Sequence, residues 1–181
     1  MPLIGEISGV YSREECEAWI ARDREWLRAT VNRASGREVD ERVRNNSTAI
    51  VRDAAAAGEL WQRITPHVPA TMKSLRADGV FLPLRIYRYE EGERFGLHHD
   101  QSYLRDDGAR SLLTLLVYLN DVEAGGETEF PEQGRVIVPR AGAALWFQHM
   151  LLHAGRPVVR GVKYVLRTDV VYAQQAGAPA R

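Results

Sequence analysis

Residues 85–100, RIYRYEEGERFGLHHD, decide how the rest of this chain is read. A β-prone run crosses a Glu-Glu-Gly turn, resumes as RFGL and ends in a His-His-Asp triplet. Side chains two apart on a strand share a face. His98 and Asp100 can therefore converge on one ion, while His99 points away. Two imidazoles and a carboxylate gathered on one side of an ion are the ligand set of a mononuclear non-haem Fe(II) centre, with other positions left open. The second imidazole is supplied by His153. By itself the triplet is weak, because His and Asp fall two apart by chance in many chains. The sequence around it carries the argument further.

From residue 80 onward, short β-prone runs (FLPLRIYRY, SLLTLLVYLN, RVIVP, AALWF, YVLRTDVVY) are separated by Gly, Asp, Asn or Pro clusters. Many strands without intervening helices predict a sandwich or jelly roll, so the fold class is mainly β with N-terminal helices. Upstream, residues 12–28 read as a helix opened by a Ser12/Glu15 capping box, with Cys16, Trp19, Ile20, Trp26 and Leu27 at roughly helical spacing. Residues 53–77 read as two helices or one broken helix, with Asp53 as cap and Pro66 and Pro69 as breakers. Between them, residues 29–47 look too charged for a core and predict an exposed loop or hairpin. The expected organisation is one domain over 1–181, with helical support at about 12–77 and a double-stranded β-helix core at about 80–172. The tail QQAGAPAR is expected to fray.

Composition excludes several classes. The 181 residues carry 24 Lys plus Arg against 24 Asp plus Glu, so the net charge is zero and gives no sign of wholesale nucleic-acid or anionic-membrane binding. The single cysteine, Cys16, rules out an internal disulfide, reads as a small core hydrophobe and fits a reducing compartment. MPLIGEISGVYS lacks the pattern of a signal peptide, and no apolar run is long enough to span a bilayer. A cytoplasmic protein is the expectation; the sequence is silent on oligomeric state.

Three segments, RIYRYEEGERFGLHHD, SLLTLLVYLNDVEAGGETEFP and HAGRPVVRGVK, together resemble the Fe(II)/2-oxoglutarate dioxygenases, and within them the prolyl-4-hydroxylase-like branch. They fall in the family's order over roughly residues 84–172. The resemblance implies iron ligation by His98, Asp100 and His153, and a salt bridge from Lys163 to the distal carboxylate of 2-oxoglutarate. Tyr89 is implied to hydrogen-bond that carboxylate, and Thr114 to face the cosubstrate. Arg167, four residues beyond Lys163 on the same strand face, is the alternative cation for the carboxylate.

The implied activity is hydroxylation of a C–H bond in a peptidyl proline or related amino acid. O2 is the oxidant, succinate and CO2 are the coproducts, and ascorbate is the reductant. A free amino acid or other small metabolite is the alternative substrate. The rival from another class is an inactive jelly-roll binding domain that would have lost a ligand or the cosubstrate cation; every such position is filled here. A cupin-type metalloenzyme would not require Lys163. The segment Val43–Arg44–Asn45–Asn46–Ser47 reads either as a substrate lid or as an exposed turn, and Arg85 and Tyr87 are further substrate candidates. From ordinary imidazole values, iron binding is expected to weaken below about pH 6.

Overall fold

A computed structural model of the chain describes residues 3–33 and 36–174, so residues 175–181 of the tail lie outside the described part. The N-terminal region holds β1 (Ile4–Ile7), α1 (Arg13–Ala21), β2 (Leu27–Arg28), β3 (Val31–Arg33), β4 (Gly36–Glu38), β5 (Ser47–Val51) and α2 (Ala54–Ile64). Then come β6 (Thr71–Met72), β7 (Leu75–Val80), β8 (Leu84–Tyr89), β9 (Phe95–His98), β10 (Arg110–Tyr118), β11 (Ala124–Gly125) and β12 (Thr128–Phe130). The chain ends through β13 (Arg135–Ile137), β14 (Ala144–Gln148), β15 (His153–Gly155), β16 (Val158–Arg160) and β17 (Lys163–Ala173).

A nine-stranded sheet runs in the order β1-β14-β10-β17-β8-β5-β2, with β7 also paired to β17 and β6 paired to β7. A four-stranded sheet runs β13-β12-β15-β9. Their facing sides share one apolar cluster: Tyr118, Leu145, Phe147 and Val165 from the large sheet meet Phe130 and Ile137 from the small one. The opposite side of the large sheet packs Leu84, Ile86, Leu113, Leu115, Val117 and Leu166 in a second cluster with Cys16 and Trp19 of α1 and Ala57, Leu60 and Ile64 of α2. The result is mainly β, consistent with the jelly roll expected.

Period-two alternation on β17 sets up the site. Tyr164, Leu166 and Val170 belong to the helix-side cluster, so the intervening Lys163, Val165, Arg167 and Asp169 face the small sheet. Antiparallel partners share a face. Tyr89, Tyr87 and Arg85 of β8 stand opposite Lys163, Val165 and Arg167, and Leu116 and Thr114 of β10 stand opposite Arg167 and Asp169. One inner face thus holds a row of polar groups inside an otherwise apolar sandwich.

The N-terminal elements differ from expectation at three places. The capping box forms, with Ser12 Oγ accepting from Glu15 N–H at 3.2 Å and Glu15 Oε2 accepting from Ser12 N–H at 2.7 Å. The helix nevertheless ends at Ala21 rather than near 28. Arg24 hydrogen-bonds the carbonyls of Trp19 and Arg22, which satisfies orphan acceptors at the helix end. Trp26 packs against Tyr164, and Leu27 pairs with Thr48, so sheet contacts claim the residues that continued the helical spacing. After α2 and a 3-10 turn at Thr65–His67 that absorbs Pro66, the chain forms the β6–β7 hairpin instead of more helix. Lys73 and Ser74 both take positive φ in its two-residue turn. Finally, residues 29–47 do contain a hairpin, β3–β4. The segment is not wholly exposed, however: Asp40, Arg44 and Asn46 are buried.

Candidate metal centre

His98 and His153 are cross-strand partners on β9 and β15, and their ring centroids lie 4.2 Å apart. Asp100 follows β9 and inserts its carboxylate between them. Oδ1 is 3.7 Å from His98 Nε2, and Oδ2 is 3.7 Å from His153 Nε2. One donor atom from each of the three residues falls within 4.8 Å of the other two.

Both imidazoles are pinned in the same way. His98 Nδ1–H donates to the Gly96 carbonyl at 2.8 Å, and His153 Nδ1–H donates to the Leu151 carbonyl at 2.9 Å. A carbonyl only accepts, so the proton sits on Nδ1 and the Nε2 lone pair is turned inward. Burial lowers the pKa of His98 to about 3, with His153 adding to the effect and Asp100 opposing it; burial lowers His153 as well. Burial alone would raise Asp100, but the charge of Arg167 and the two imidazoles hold it below the usual carboxylate range. Two neutral imidazole nitrogens and a carboxylate oxygen on one side fit a divalent first-row ion such as Fe(II). His99 is exposed, and its Nδ1 meets the Met150 carbonyl at 3.0 Å, outside the cluster.

A polar network holds Asp100 from behind. Thr114 Oγ1 donates to Asp100 Oδ2 at 2.5 Å and accepts from His149 Nδ1–H at 2.9 Å. His149 Nε2 in turn accepts from Ser111 Oγ at 3.0 Å. Arg167 is ion-paired to buried Asp169 at 2.9 Å and reaches Asp100 Oδ2 at 3.5 Å. Those two carboxylates keep its guanidinium charged against the cost of burial. Thr114, expected to face the cosubstrate, directs its hydroxyl to Asp100. Sequence reading missed Ser111, His149 and Asp169 as supports. For Asp169 the signal was present, since it continues the period-two face of Lys163 and Arg167.

Lys163 lies in the same inner cavity as His98, Asp100, Thr114, His153 and Arg167. Its Nζ donates to the Gly126 carbonyl at 2.6 Å and sits 5.4 Å and 5.5 Å from the ring centres of Tyr89 and Tyr118. Burial pulls its pKa down to about 7, with Glu127 opposing. The Gly125–Gly126 turn that supplies the carbonyl needs glycine, because φ is +77° and +74°.

An outer cleft of about 360 Å³ opens above the ligands and is lined in part by Arg44, Arg85, Tyr87, His98, Tyr103 and Arg167. The segment read as lid or turn serves this wall from inside the fold. The Arg44 guanidinium lies 4.0 Å from the Phe95 ring centre, and Phe95 stacks on His98 at 3.5 Å. Arg44 also bonds Asn46 Oδ1 at 3.0 Å and 2.9 Å. Asn45 accepts from Arg94 N–H, and the Asn46 amide donates to the Ser47 carbonyl. The structure therefore does not bring Asn45 and Asn46 to the cleft wall, whereas Arg44, Arg85 and Tyr87 do line it.

A sequence profile of the 2OG-Fe(II) oxygenase superfamily matches residues 84–168. A probable prolyl 4-hydroxylase of Arabidopsis thaliana is 29% identical over 84% of this chain. This chain spans 63% of the length of that relative. Among solved structures, a viral collagen prolyl hydroxylase from Paramecium Bursaria Chlorella virus-1, in its 2OG complex, matches with a TM-score of 0.68 at 23% identity, covering 94% of this chain and 96% of its own. A prolyl hydroxylase in complex with a hypoxia inducible factor peptide fragment, from Trichoplax adhaerens, matches with a TM-score of 0.63 at 17% identity, covering 92% and 82%. At these identities the structural likeness is one of fold.

Proposed function

We propose that this chain, a prolyl-4-hydroxylase-like member of the 2OG-Fe(II) oxygenase superfamily, is an Fe(II)- and 2-oxoglutarate-dependent hydroxylase of a peptidyl proline or related amino-acid substrate. The observation that carries this reading is the gathering of His98, Asp100 and His153 within 4.8 Å of one another, with buried Lys163 lining the same cavity. A metal-binding jelly roll without a cosubstrate would have no need of a buried ammonium there. When bound, the iron supplies oxygen activation, and 2-oxoglutarate, O2 and a C–H group become succinate, CO2 and an alcohol.

The protein's own part is positional. His98 and His153 present Nε2, fixed by the carbonyls of Gly96 and Leu151. Thr114 and Arg167 hold the carboxylate of Asp100. Lys163 pairs with the distal carboxylate of 2-oxoglutarate, with Tyr89 beside it. Leu116, Val165 and Phe95 add apolar lining to that cavity, which lowers the local dielectric and strengthens the charge pair. Substrate enters by the outer cleft, past Arg44, Arg85 and Tyr87. Ascorbate as reductant belongs to the same proposal.

The peptide reading draws support from the peptide held by the Trichoplax neighbour. The test is succinate formation from 2-oxoglutarate in the presence of Fe(II), O2, ascorbate and a library of prolyl peptides and amino acids, with mass spectrometry for a gain of one oxygen. Stimulated succinate with a hydroxylated product supports the reading. Neither product from any substrate, with iron bound, contradicts it.

A further inference from the structure

We propose that the outer cleft accepts a substrate bearing a carboxylate, seated on the guanidinium of Arg85 with the hydroxyl of Thr48 beside it. This rests on the hydroxylase reading for the word substrate, and on the cleft's own charges for the carboxylate. Four arginines, Arg37, Arg44, Arg85 and Arg167, line this space, and among the described lining residues Asp100 is the one carboxylate. Asp100 belongs to the metal, and Arg167 is shared between Asp169 and Asp100. Arg44 is bonded to the neutral amide of Asn46. A chain with no net charge overall thus concentrates positive charge at the mouth of its metal centre.

Among the described lining arginines, Arg85 is the one with a buried nitrogen left without a hydrogen bond. Its Nη1 is sealed from solvent and has no hydrogen-bond partner, and Thr48 Oγ1 is in the same condition. Asp169 feels the charge of Arg85, but its Oδ2 is bonded to Arg167 and its Oδ1 is itself without a hydrogen-bond partner, so no hydrogen bond joins Asp169 to Arg85. The two unbonded groups are neighbours by register. Arg85 stands opposite Ile50 on β5, and Thr48 lies two residues from Ile50 on the same face. On its other side Arg85 stands opposite Arg167, whose guanidinium touches Asp100. An anion held at Arg85 would therefore sit beside Arg167, the residue that braces the carboxylate of Asp100.

Buried polar groups left unbonded are costly and uncommon, and an acceptor in the cleft would relieve that cost once the Arg85 side chain turns Nη1 toward it. A planar guanidinium fork with one adjacent hydroxyl matches the two oxygens of a carboxylate. The carboxylate has two sources: the α-carboxylate of a free amino acid or peptide end, and the side chain of an Asp or Glu within a peptide.

The test is binding to the protein loaded with Zn(II) and 2-oxoglutarate, a complex that does not turn over because zinc has no redox chemistry. The probes are the free amino acids paired with their α-amides, and prolyl peptides that differ only in a free or amidated C-terminus or in Asp/Glu against Asn/Gln. In isothermal titration, acids should bind about tenfold or more tighter than their amides, as a charge-assisted bond would give. Arg85→Gln should bring the acids to within about twofold of the amides, Arg85→Lys should restore part of the preference, and Thr48→Val should weaken it. The pair showing the larger preference identifies which carboxylate is read. Amides binding as well as acids throughout, or a preference that survives Arg85→Gln in a variant shown to be folded by its melting curve, would overturn the proposal. Failure of the hydroxylase reading looks different: 2-oxoglutarate would not bind the Zn(II)-loaded wild type, and the acid-against-amide comparison would still be readable on the metal-loaded protein alone.

Discussion

His98 and His153 donate Nδ1–H to the carbonyl two residues upstream, and that shared geometry makes the ligand set testable residue by residue. Alanine at His98, Asp100 or His153 should abolish iron binding and succinate formation together. His99→Ala should keep the metal, and equal loss from His99→Ala and His98→Ala would refute the strand register. The pH dependence departs from the sequence expectation. Neutral imidazole is the binding form, and burial lowers His98 to about 3, so the neutral form persists to lower pH. Iron occupancy measured by titration should hold as pH falls from 7 through 5; half-loss near pH 6 would contradict this. Lys163 gives the opposite sign. Its ammonium is favoured only below about 7 in the free protein, and a bound carboxylate pushes it back toward charge. Binding of 2-oxoglutarate should take up a proton above pH 7 and weaken by close to tenfold per pH unit. Calorimetry in two buffers of different ionisation heat reads this uptake, and its absence would place the carboxylate elsewhere. Lys163→Ala should raise the 2-oxoglutarate constant by two or more orders of magnitude, as expected from about 3–5 kcal/mol for a broken buried pair. The strand period exposed His98 and Asp100 in the sequence; Lys163 was implied by the family resemblance, and the period set Arg167 on the same face. It could not tell that the polar run Arg44–Asn46 folds inward, because Asn-Asn-Ser is equally the composition of a turn.

At the level of elements, what was legible followed local chemistry and what was not followed tertiary pairing. Ser12 and Asp53 announce their helices, and both side chains accept from backbone N–H groups three residues on. Ser12→Ala should lower stability by about 1 kcal/mol, read from denaturant unfolding. The end of α1 was not legible, since Trp26 and Leu27 keep the helical spacing while their partners, Tyr164 and Thr48, lie far along the chain. Strands β6 and β7 hide inside an Ala- and Leu-rich stretch for the same reason. The tie between the Gly-Gly-Glu-Thr segment and Lys163 emerges only when β17 brings that side chain to the Gly126 carbonyl. Gly125→Ala would need φ near +77° and would set a Cβ 2.4 Å from the Pro157 carbonyl oxygen. A loss of about 2 kcal/mol or more is expected, with weakened 2-oxoglutarate binding; a variant as stable as the wild type would show that the turn relaxes freely.

Across the whole molecule, the large sheet separates an apolar side, packed on α1 and α2, from a side whose central strands present Lys163, Arg167, Asp169 and Thr114 to the small sheet. The small sheet contributes His98 and His153 on paired strands, so the centre exists only when both sheets are assembled. Metal and cosubstrate should therefore stabilise the fold as a unit, by about 2.7 kcal/mol at a ligand concentration of a hundred times Kd. The mainly β class was readable from the run of short strands after residue 80. That β1, β5 and β7, all from before that point, complete the large sheet was not. On the proposed function, this site couples 2-oxoglutarate oxidation to hydroxylation. The most direct test of that coupling is turnover under isotopically labelled O2 with Fe(II), 2-oxoglutarate and the substrate panel. One labelled oxygen in succinate and one in the hydroxylated product, both lost in Asp100→Ala, is the predicted result. Iron-loaded wild-type protein that leaves 2-oxoglutarate unchanged, or forms succinate without label, would contradict the account.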